Sequence, residues 1–364
     1  MKKRVLFLVN HDVVIYNFRK EIVEKLICEG YDVIISSPYG ERIDDLKAMG
    51  CEYEEINFDR HGTNIFNELK LIKYYKQLIK RVKADVVLTF TIKPNIYGAM
   101  ACKSLGVPYI ANITGLGTAV ENGGIMQKIT TLLYKNAFRK IDTVFFQNKE
   151  NMDFFKRKNI AINKHQLLPG SGVNLEQFKL LEYPDDDTIE FVFISRIMKQ
   201  KGIDQYLEAA EYIRNKYPYT RFHICGFCEE SYEKKLADYQ EAGVVIYHGM
   251  IRDVREILQK THCTIHPTYY PEGMSNVLLE SASSGRPIIT TDRSGCKEVV
   301  ENNKTGYLVK QTNTNDLIDK IEMFINLQYF KKEEMGKLGR KKIEKEFSRD
   351  IIVEHYLKQI NIVD

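Results

Sequence analysis

"CTIHPTYYPEGMSNVLLESASSGRPIITT", residues 263–291, is the stretch whose reading decides the fold. Residues 263–266 read as a short buried strand, and YYPEGMSN as a loop rich in turn formers. Residues 275–284 form an apolar run with helical spacing, and 287–291 read as a second β-branched strand. A strand, a crossover helix and another strand spell a parallel βαβ unit. Two glutamates sit in this unit with seven residues between them: Glu272 in the loop, and Glu280 about one turn into the helix. The free N–H groups and dipole of a helix starting near Ser275 favour an anion at Met274, Ser275 and Asn276. Gly273 lets a ligand approach the backbone. Glu280 can then accept hydrogen bonds from vicinal hydroxyls of the same ligand, while Glu272 faces another part of it. A surface turn followed by an exposed glutamate is the plainer reading of the same residues.

The alternation extends both ways. In the first half, strands are expected at 4–9, 32–36, 52–56, 85–90, 108–113, 143–147 and 166–169. Helical patterns lie between most of them, for example at 17–29, 64–83, 95–105 and 125–140. The run LLEYPDDD, 180–187, is acidic, carries a proline and reads as a linker. Strands then resume at 189–195, 221–225, 244–248, 263–266, 287–291 and 306–309, with helices from 202 and at 229–242, 252–260 and 275–284. The chain reads as helical from 313 onward, with Ser348 as an N-cap before a last amphipathic helix. Continuous apolar strands alternating with helices imply parallel sheets covered on both faces. The expected fold class is therefore α/β, with two Rossmann-like doubly wound domains facing across a cleft. The expected boundaries are 1–180, 188–347 and a C-terminal helix 348–364 that crosses back to the first domain. Ligands of such sheets bind at the carboxyl ends of the strands.

Bulk composition agrees and narrows the function. The chain has 364 residues, more than the roughly 250–300 that one core accommodates. It is 44% hydrophobic and 28% charged, an ordinary globular mix, and its net charge of +4 is too small to argue for nucleic acid. No signal peptide is expected, because the apolar run RVLFLV is short and ends in the polar NHD. No stretch approaches the roughly 20 apolar residues of a membrane span. The seven cysteines are odd in number and scattered through apolar segments, which suits reduced buried thiols better than a disulfide framework. CGFC at 225–228, with His223, His262, Cys263 and His266 elsewhere, raises zinc, but no second C-x-x-C is present.

Two cations complete a constellation. The strand FVFIS ends at Ser195 and is followed by RIMKQKG. Arg196 and Lys201 thus lie at a strand's carboxyl end before a helix, a placement that suits a diphosphate, although solvated loop charges are the alternative. The Arg–four residues–Lys-Gly pattern after a strand, with Glu–seven residues–Glu downstream, resembles the retaining glycosyltransferases of GT-B fold called family 4. SRIMKQKGID, HGMIRDVREIL and the segment from CTIHPTYY to TGYLV all fit, and the resemblance covers essentially the whole chain. IYNFRKEIVEKL and ITGLGT look like the subgroup that adds hexoses or N-acetylhexosamines to lipid-linked saccharides of bacterial surface polymers.

The resemblance implies roles residue by residue. Arg196 and Lys201 would bind the donor diphosphate, Glu272 would meet the donor sugar, and Glu280 would take the ribose hydroxyls. Gly273, Met274, Ser275 and Asn276 would line phosphate and sugar, and Met250 and Ile251 would border the base. The donor would be a nucleotide sugar, with UDP preferred, and no cofactor or divalent metal would be needed. The only Asp-rich run, 185–187, falls in the expected linker. A cation near 4 Å contributes roughly 4 kcal/mol at an effective dielectric of 20, so two cations and a helix N-terminus can stand in for a metal at the leaving group. The departing phosphate would take the acceptor's proton on the same face, giving retention.

In the first domain the chain departs from the family. NHDVVIYNF replaces the Gly-Gly pair common after the first strand, and His11 could substitute for it, a satisfied loop histidine being the alternative. TGLGTAVENGG contains Gly115-x-Gly117, but Val120 occupies the third glycine position, so a dinucleotide fingerprint fails. In the family this loop faces donor sugar and acceptor, and Asn112 and Thr114 are its polar groups here. Arg60 and His61 could meet a pyrophosphate-bearing acceptor. The expected partners are a nucleotide sugar, a lipid-pyrophosphate-linked saccharide and an anionic membrane touched peripherally, with no nucleic acid. The basic, aromatic helix 64–83 suits such a surface, although an ordinary sheet-covering helix has a similar pattern. The expected location is cytoplasmic, at the inner face of the cell membrane. A nucleotide-sugar 2-epimerase of the same fold is the alternative enzyme, and a non-catalytic sugar-nucleotide binder a third class.

Overall fold

The computed structural model describes residues 2–56, 65–117, 120, 123–185, 187–271 and 273–363. The chain divides into two compact units, Met1–Gly172 with Arg349–Asp364, and Val173–Ser348. Each is built around one parallel sheet. In the first unit β1 (Arg4–Leu8), β2 (Asp32–Ser37), β3 (Glu52–Glu55), β4 (Val86–Phe90), β5 (Tyr109–Ile113), β6 (Thr143–Phe146) and β7 (His165–Leu167) lie in the order β3-β2-β1-β4-β5-β6-β7. In the second, β8 (Ile189–Ile194), β9 (Thr220–Cys225), β10 (Ile246–Tyr247), β11 (Cys263–His266), β12 (Ile288–Thr291) and β13 (Gly306–Val309) lie in the order β10-β9-β8-β11-β12-β13. Every named pairing is parallel.

The central strands carry almost no polar side chains because both faces are covered. Val5, Phe7, Ile35, Val86 and Leu88 pack with the helix Asp12–Cys28, and Leu6, Leu8, Val87 and Ala111 pack with the opposite layer. In both sheets the strand order reverses direction beside the first strand, at β1/β4 and at β8/β11. Two neighbouring crossovers then leave on opposite faces, and the carboxyl ends of those strands open a crevice between loops.

The stretch expected as a linker is bonded into the second unit through its residues 182 and 183. The Tyr183 hydroxyl donates to the His262 carbonyl at 3.0 Å, and the Arg286 guanidinium stands 5.5 Å from the Tyr183 ring centroid. Arg286 also donates to the carbonyls of Leu258 and Glu182, each at 2.7 Å. These bonds sew the segment into the second unit, and the division falls earlier, after Gly172. Three expected elements are shorter than their patterns. The helix at 229–242 begins only at Glu233, because Glu229 and Glu230 are occupied in a loop, as set out below. The helix at 252–260 contracts to Arg255–Leu258, and the strand at 244–248 to Ile246–Tyr247 at the sheet edge.

The helix Arg349–Ile362 belongs to the first unit. Ile352, Tyr356 and Ile360 are buried with Phe7 and Phe90, and Arg349 pairs with Glu21 at 2.8 Å. Tyr356 packs on Phe90 and Phe145, and its hydroxyl donates to the side chain of Asn112. Removing this ring leaves both a cavity and an unpaired buried amide oxygen. Tyr356→Ala is therefore expected to lower stability by about 3–5 kcal/mol in urea unfolding; a loss below about 1 kcal/mol would contradict this packing.

His266, at the end of β11, is fully enclosed. Burial, then the charge of Lys201, pushes its pKa down from 6.5 to about 3. The unfolded ring takes up a proton as pH falls below about 6.5, while the folded one stays neutral until about 3. The folded state thus loses stability across that window. His266→Leu is expected to flatten the fall in urea midpoint between pH 7 and 5; an unchanged slope would show that the ring is hydrated.

Candidate active site

The site is assembled at the carboxyl ends of β8, β9, β11 and β12. Past Ile194 the chain is held by Ser195 N donating to Cys225 O at 3.0 Å and Ile197 N donating to Phe227 O at 2.8 Å. These bonds fix Arg196 on the rim between them. Its Nη1 donates to Glu229 Oε2 at 2.5 Å. A single 3-10 turn, Lys199–Lys201, follows and ends on Gly202 at φ +81. A Cβ at Gly202 would stand 2.2 Å from the Pro267 carbonyl oxygen, so only glycine permits this approach. The approach presses the turn against the loop after β11 and buries Lys201 to 7% exposure.

That loop is laced to its neighbours by the main chain. Tyr269 N donates to Gln200 O at 2.9 Å, Arg293 Nε to Tyr270 O at 2.9 Å, and Ser275 N to Gly295 O at 2.8 Å. The Tyr270 ring is thereby set beside both cations. Arg196 Cζ lies 5.3 Å and Lys201 Nζ 4.8 Å from its centroid. Each such contact is worth about 0.5–2 kcal/mol, more as water is excluded.

The helix Asn276–Ser283 starts directly after this loop. Ser275 is its N-cap residue in extended conformation, but no side chain among the described residues caps it. Its first N–H groups therefore remain available to an anionic group. Met274 and Ser275 are buried, and Asn276 Oδ1 is buried with no hydrogen-bond partner among the described residues. Glu280 lies on the same helix, half-buried. Gly273 is described and buried, whereas Glu272 lies outside the described residues.

A hollow of about 180 Å³ opens beside Arg196, lined also by Gly226, Phe227, Met250, Ile251 and Val254. At its edge Gly226, at φ +144, packs against the preceding loop; a Cβ placed there would stand 1.7 Å from Ser195 O. Its walls are apolar side chains and backbone edges, which suits a flat heteroaromatic ring. The second unit thus brings Arg196, Lys201, Met274, Ser275 and Asn276 into one set of interlocked loops, and Met250 and Ile251 into the adjoining hollow.

The first unit treats its expected residues differently. His11 Nδ1 accepts the Val13 N–H at 3.3 Å and lies 2.6 Å from Asp12 Oδ1, so the ring caps the helix Asp12–Cys28. Asn112 is committed to the core, its amide donating to Thr89 O at 3.0 Å and its carbonyl accepting from Tyr356. Thr114 and Gly115 are half-buried at the end of β5, and Gly115 and Gly117 take φ +154 and +75. Arg60 and His61 lie outside the described residues. The zinc candidates do not converge. Cys225 is buried, with its thiol pushed up to about 12 by burial; Cys228 lies against the Tyr247 hydroxyl; and no metal-binding group of His, Cys, Asp or Glu forms among the described residues.

Sequence reasoning missed Tyr270, Glu229, Arg293 and Gly226. Tyr270 reads as one more turn residue, and the pair Glu229–Glu230 reads as a helix start. Only the three-dimensional lacing of loops distant in sequence reveals what these residues hold.

Residues 4–148 match the family of glycosyl transferase 4-like proteins, and residues 176–342 match glycosyl transferases group 1. The N,N'-diacetylbacillosaminyl-diphospho-undecaprenol alpha-1,3-N-acetylgalactosaminyltransferase of Campylobacter jejuni is 25% identical over 98% of this chain and 97% of its own length. Among solved structures, a glycosyltransferase from Rickettsia africae superposes with a TM-score of 0.83 at 18% identity, covering 100% of this chain and 98% of its own. Anabaena Alr3699/HepE in complex with UDP and glucose superposes with a TM-score of 0.80 at 14% identity, covering 99% of both chains. With two parallel Rossmann-like sheets, and with the two family matches falling one on each unit, the chain is a glycosyltransferase of the GT-B fold, joining a type 4-like domain to a group 1 domain.

Proposed function

We propose that this enzyme moves a hexose or N-acetylhexosamine from a UDP-sugar to a lipid-pyrophosphate-linked saccharide in the assembly of a bacterial surface polysaccharide, with retention at the anomeric carbon and without a metal. The observation that carries the donor half is the pairing of Arg196 and Lys201 on one ring, in the loops that lead to a helix N-terminus without a side-chain cap among the described residues. That arrangement concentrates positive potential where a diphosphate gains charge. The bond between the sugar's C1 and the β-phosphate oxygen breaks, and the leaving UDP is stabilised by the two cations and the helix N–H groups. The acceptor hydroxyl oxygen bonds to C1 on the same face, and its proton passes to the departing phosphate oxygen. Glu280 binds the ribose hydroxyls, Glu272 the donor sugar, and the hollow at Met250 and Ile251 the base. The diphospho-undecaprenol in the name of the Campylobacter relative supports the acceptor class, and the UDP in the Anabaena complex supports the donor.

We place the acceptor side on the first unit and its membrane contact on the helix Gly124–Ala137. Ile125 and Leu132 are 75% and 65% exposed there, Met126 and Ile129 are exposed on the same helix, and the exposed Lys128 and Lys135 flank them. An apolar stripe between cations fits an anionic bilayer surface. The helix Ile65–Val82 instead buries Leu71, Tyr75, Leu78 and Ile79 against its sheet, leaving Phe66 and Leu69 exposed near its start. No helix among the described residues is long and apolar enough to cross a membrane.

Incubation with UDP- and GDP-sugars, with and without lipid-pyrophosphate saccharides, tests the reaction. Nucleotide release that depends on acceptor and survives chelation by EDTA is expected. Release without acceptor, or activity abolished by EDTA, would refute it. Arg196→Ala and Lys201→Ala should each lower kcat by about 10²–10³-fold, while Glu280→Ala should mainly raise the donor KM; unchanged rates in both cation variants would remove the mechanism. For the membrane contact, the double variant Ile125→Glu, Leu132→Glu should float less with vesicles containing phosphatidylglycerol while keeping its melting temperature. Equal flotation would move the contact elsewhere.

A further inference from the structure

We propose that Tyr270 is a positioning residue of the donor site: its ring gathers Arg196 and Lys201 into a single anion-binding pair and sets the geometry in which they meet a nucleoside diphosphate. This rests on reading the two cations as the diphosphate site.

Like charges brought to one site repel, and on flexible side chains they would diverge into solvent unless something holds them. Here one ring lies 5.3 Å from the guanidinium carbon and 4.8 Å from the ammonium nitrogen. The negative face of an aromatic ring attracts both cations, so it compensates their repulsion without neutralising either. A carboxylate in the same place would also hold them, but it would compete with the incoming phosphate. Glu229 does compete in this way for Arg196 on the other side, by their 2.5 Å ion pair.

The backbone that carries the ring is fixed at three points. Tyr270 N donates to Thr268 Oγ1 at 3.1 Å, Tyr270 O accepts from Arg293 Nε at 2.9 Å, and the preceding Tyr269 N is tied to Gln200 O at 2.9 Å. Gln200 is the residue before Lys201, so the ring and the lysine are anchored to the same turn. Pro271 follows immediately and restricts the backbone of Tyr270 to extended conformations. Such bracing, on a half-exposed side chain at the mouth of a site, is more than a surface turn requires.

The chemistry makes two demands that separate this role from packing. The Tyr270 hydroxyl also neighbours Arg196, but the ring is what meets both cations, so Tyr270→Phe should retain most of the effect and loss of the ring should remove it. The ring must also act on the diphosphate and not on the base, so loss of the ring should weaken UDP more than uridine monophosphate, which presents one phosphate to the pair.

Titration calorimetry of UDP, GDP and uridine monophosphate on the full chain, with turnover measured alongside, tests this. Tyr270→Phe should bind UDP within about twofold of wild type, and Tyr270→Leu should bind it about tenfold more weakly. The same Leu variant should lose less affinity for uridine monophosphate, and its kcat should fall together with its affinity for the donor. Tyr270→Met, long and apolar but without a ring, serves as the second non-aromatic variant should Tyr270→Leu melt early. A ring-less variant that binds UDP as wild type overturns the proposal. So does a Phe variant as impaired as Leu, or an equal loss for UDP and uridine monophosphate. If wild type itself binds neither UDP nor GDP, the diphosphate reading fails first and the role of Tyr270 with it; wild-type binding with no ring effect removes the role of Tyr270 alone.

Discussion

Two like charges gathered at one aromatic ring are the constraint on which the second unit's site depends. Arg196 and Lys201 lie five residues apart, the first ahead of a 3-10 turn and the second at its end, and nothing in the local sequence keeps them together. Their repulsion is overcome by groups from three other loops: the Tyr270 ring after β11, the Glu229 carboxylate after β9, and Arg293 after β12, which braces Tyr270. Parallel topology makes this possible. All strands of the sheet point the same way, so the loops leaving β8, β9, β11 and β12 emerge at one edge and can exchange main-chain hydrogen bonds. An antiparallel sheet would send alternate loops to the far edge.

Burial beneath the site serves the same end. The charge of Lys201 acts on His266, whose ring nitrogens find no hydrogen-bond partner among the described residues and which stays neutral through the physiological range. A protonated histidine there would place a third positive charge beneath two others. Glycine does comparable work at two points. Gly202 admits the Pro267 carbonyl and Gly226 the Ser195 carbonyl, at separations a side chain forbids. The site is therefore shaped largely by backbone, and its side chains arrive on a frame that is already fixed.

This explains what could be read from the chain beforehand. The alternation of β-branched runs with amphipathic ones disclosed both parallel sheets, because a fully buried strand has few other ways to be written. Arg196, Lys201 and the start of the helix Asn276–Ser283 were visible because each follows a strand directly. Tyr270 and Glu229 were not, since their partners are far off in sequence and their own neighbours look like ordinary turn and helix. The acidic, proline-bearing stretch at 180–187 looked like a hinge because composition does not register the bond from Tyr183 to His262 or the stacking of Arg286. Asn112 looked available for sugar because its demand from Tyr356, 244 residues away, is invisible locally.

That last partnership bears on how the molecule is completed. The first unit's core contains Ile352, Tyr356 and Ile360, and Lys3 donates to the Ile360 carbonyl across 357 residues of chain. Without the final helix, Phe90 and Phe145 would lose a packed ring, and the buried amide of Asn112 its donor. Exposing these groups costs several kcal/mol, a large share of the stability of any single domain. The second unit has no such debt to the chain outside Val173–Ser348, because its sheet and its covering helices all come from that span. During synthesis it has all its parts before the first unit does. The first unit therefore closes last, and truncation at the C-terminus acts on the core under β1 and β4 and not on the cation pair.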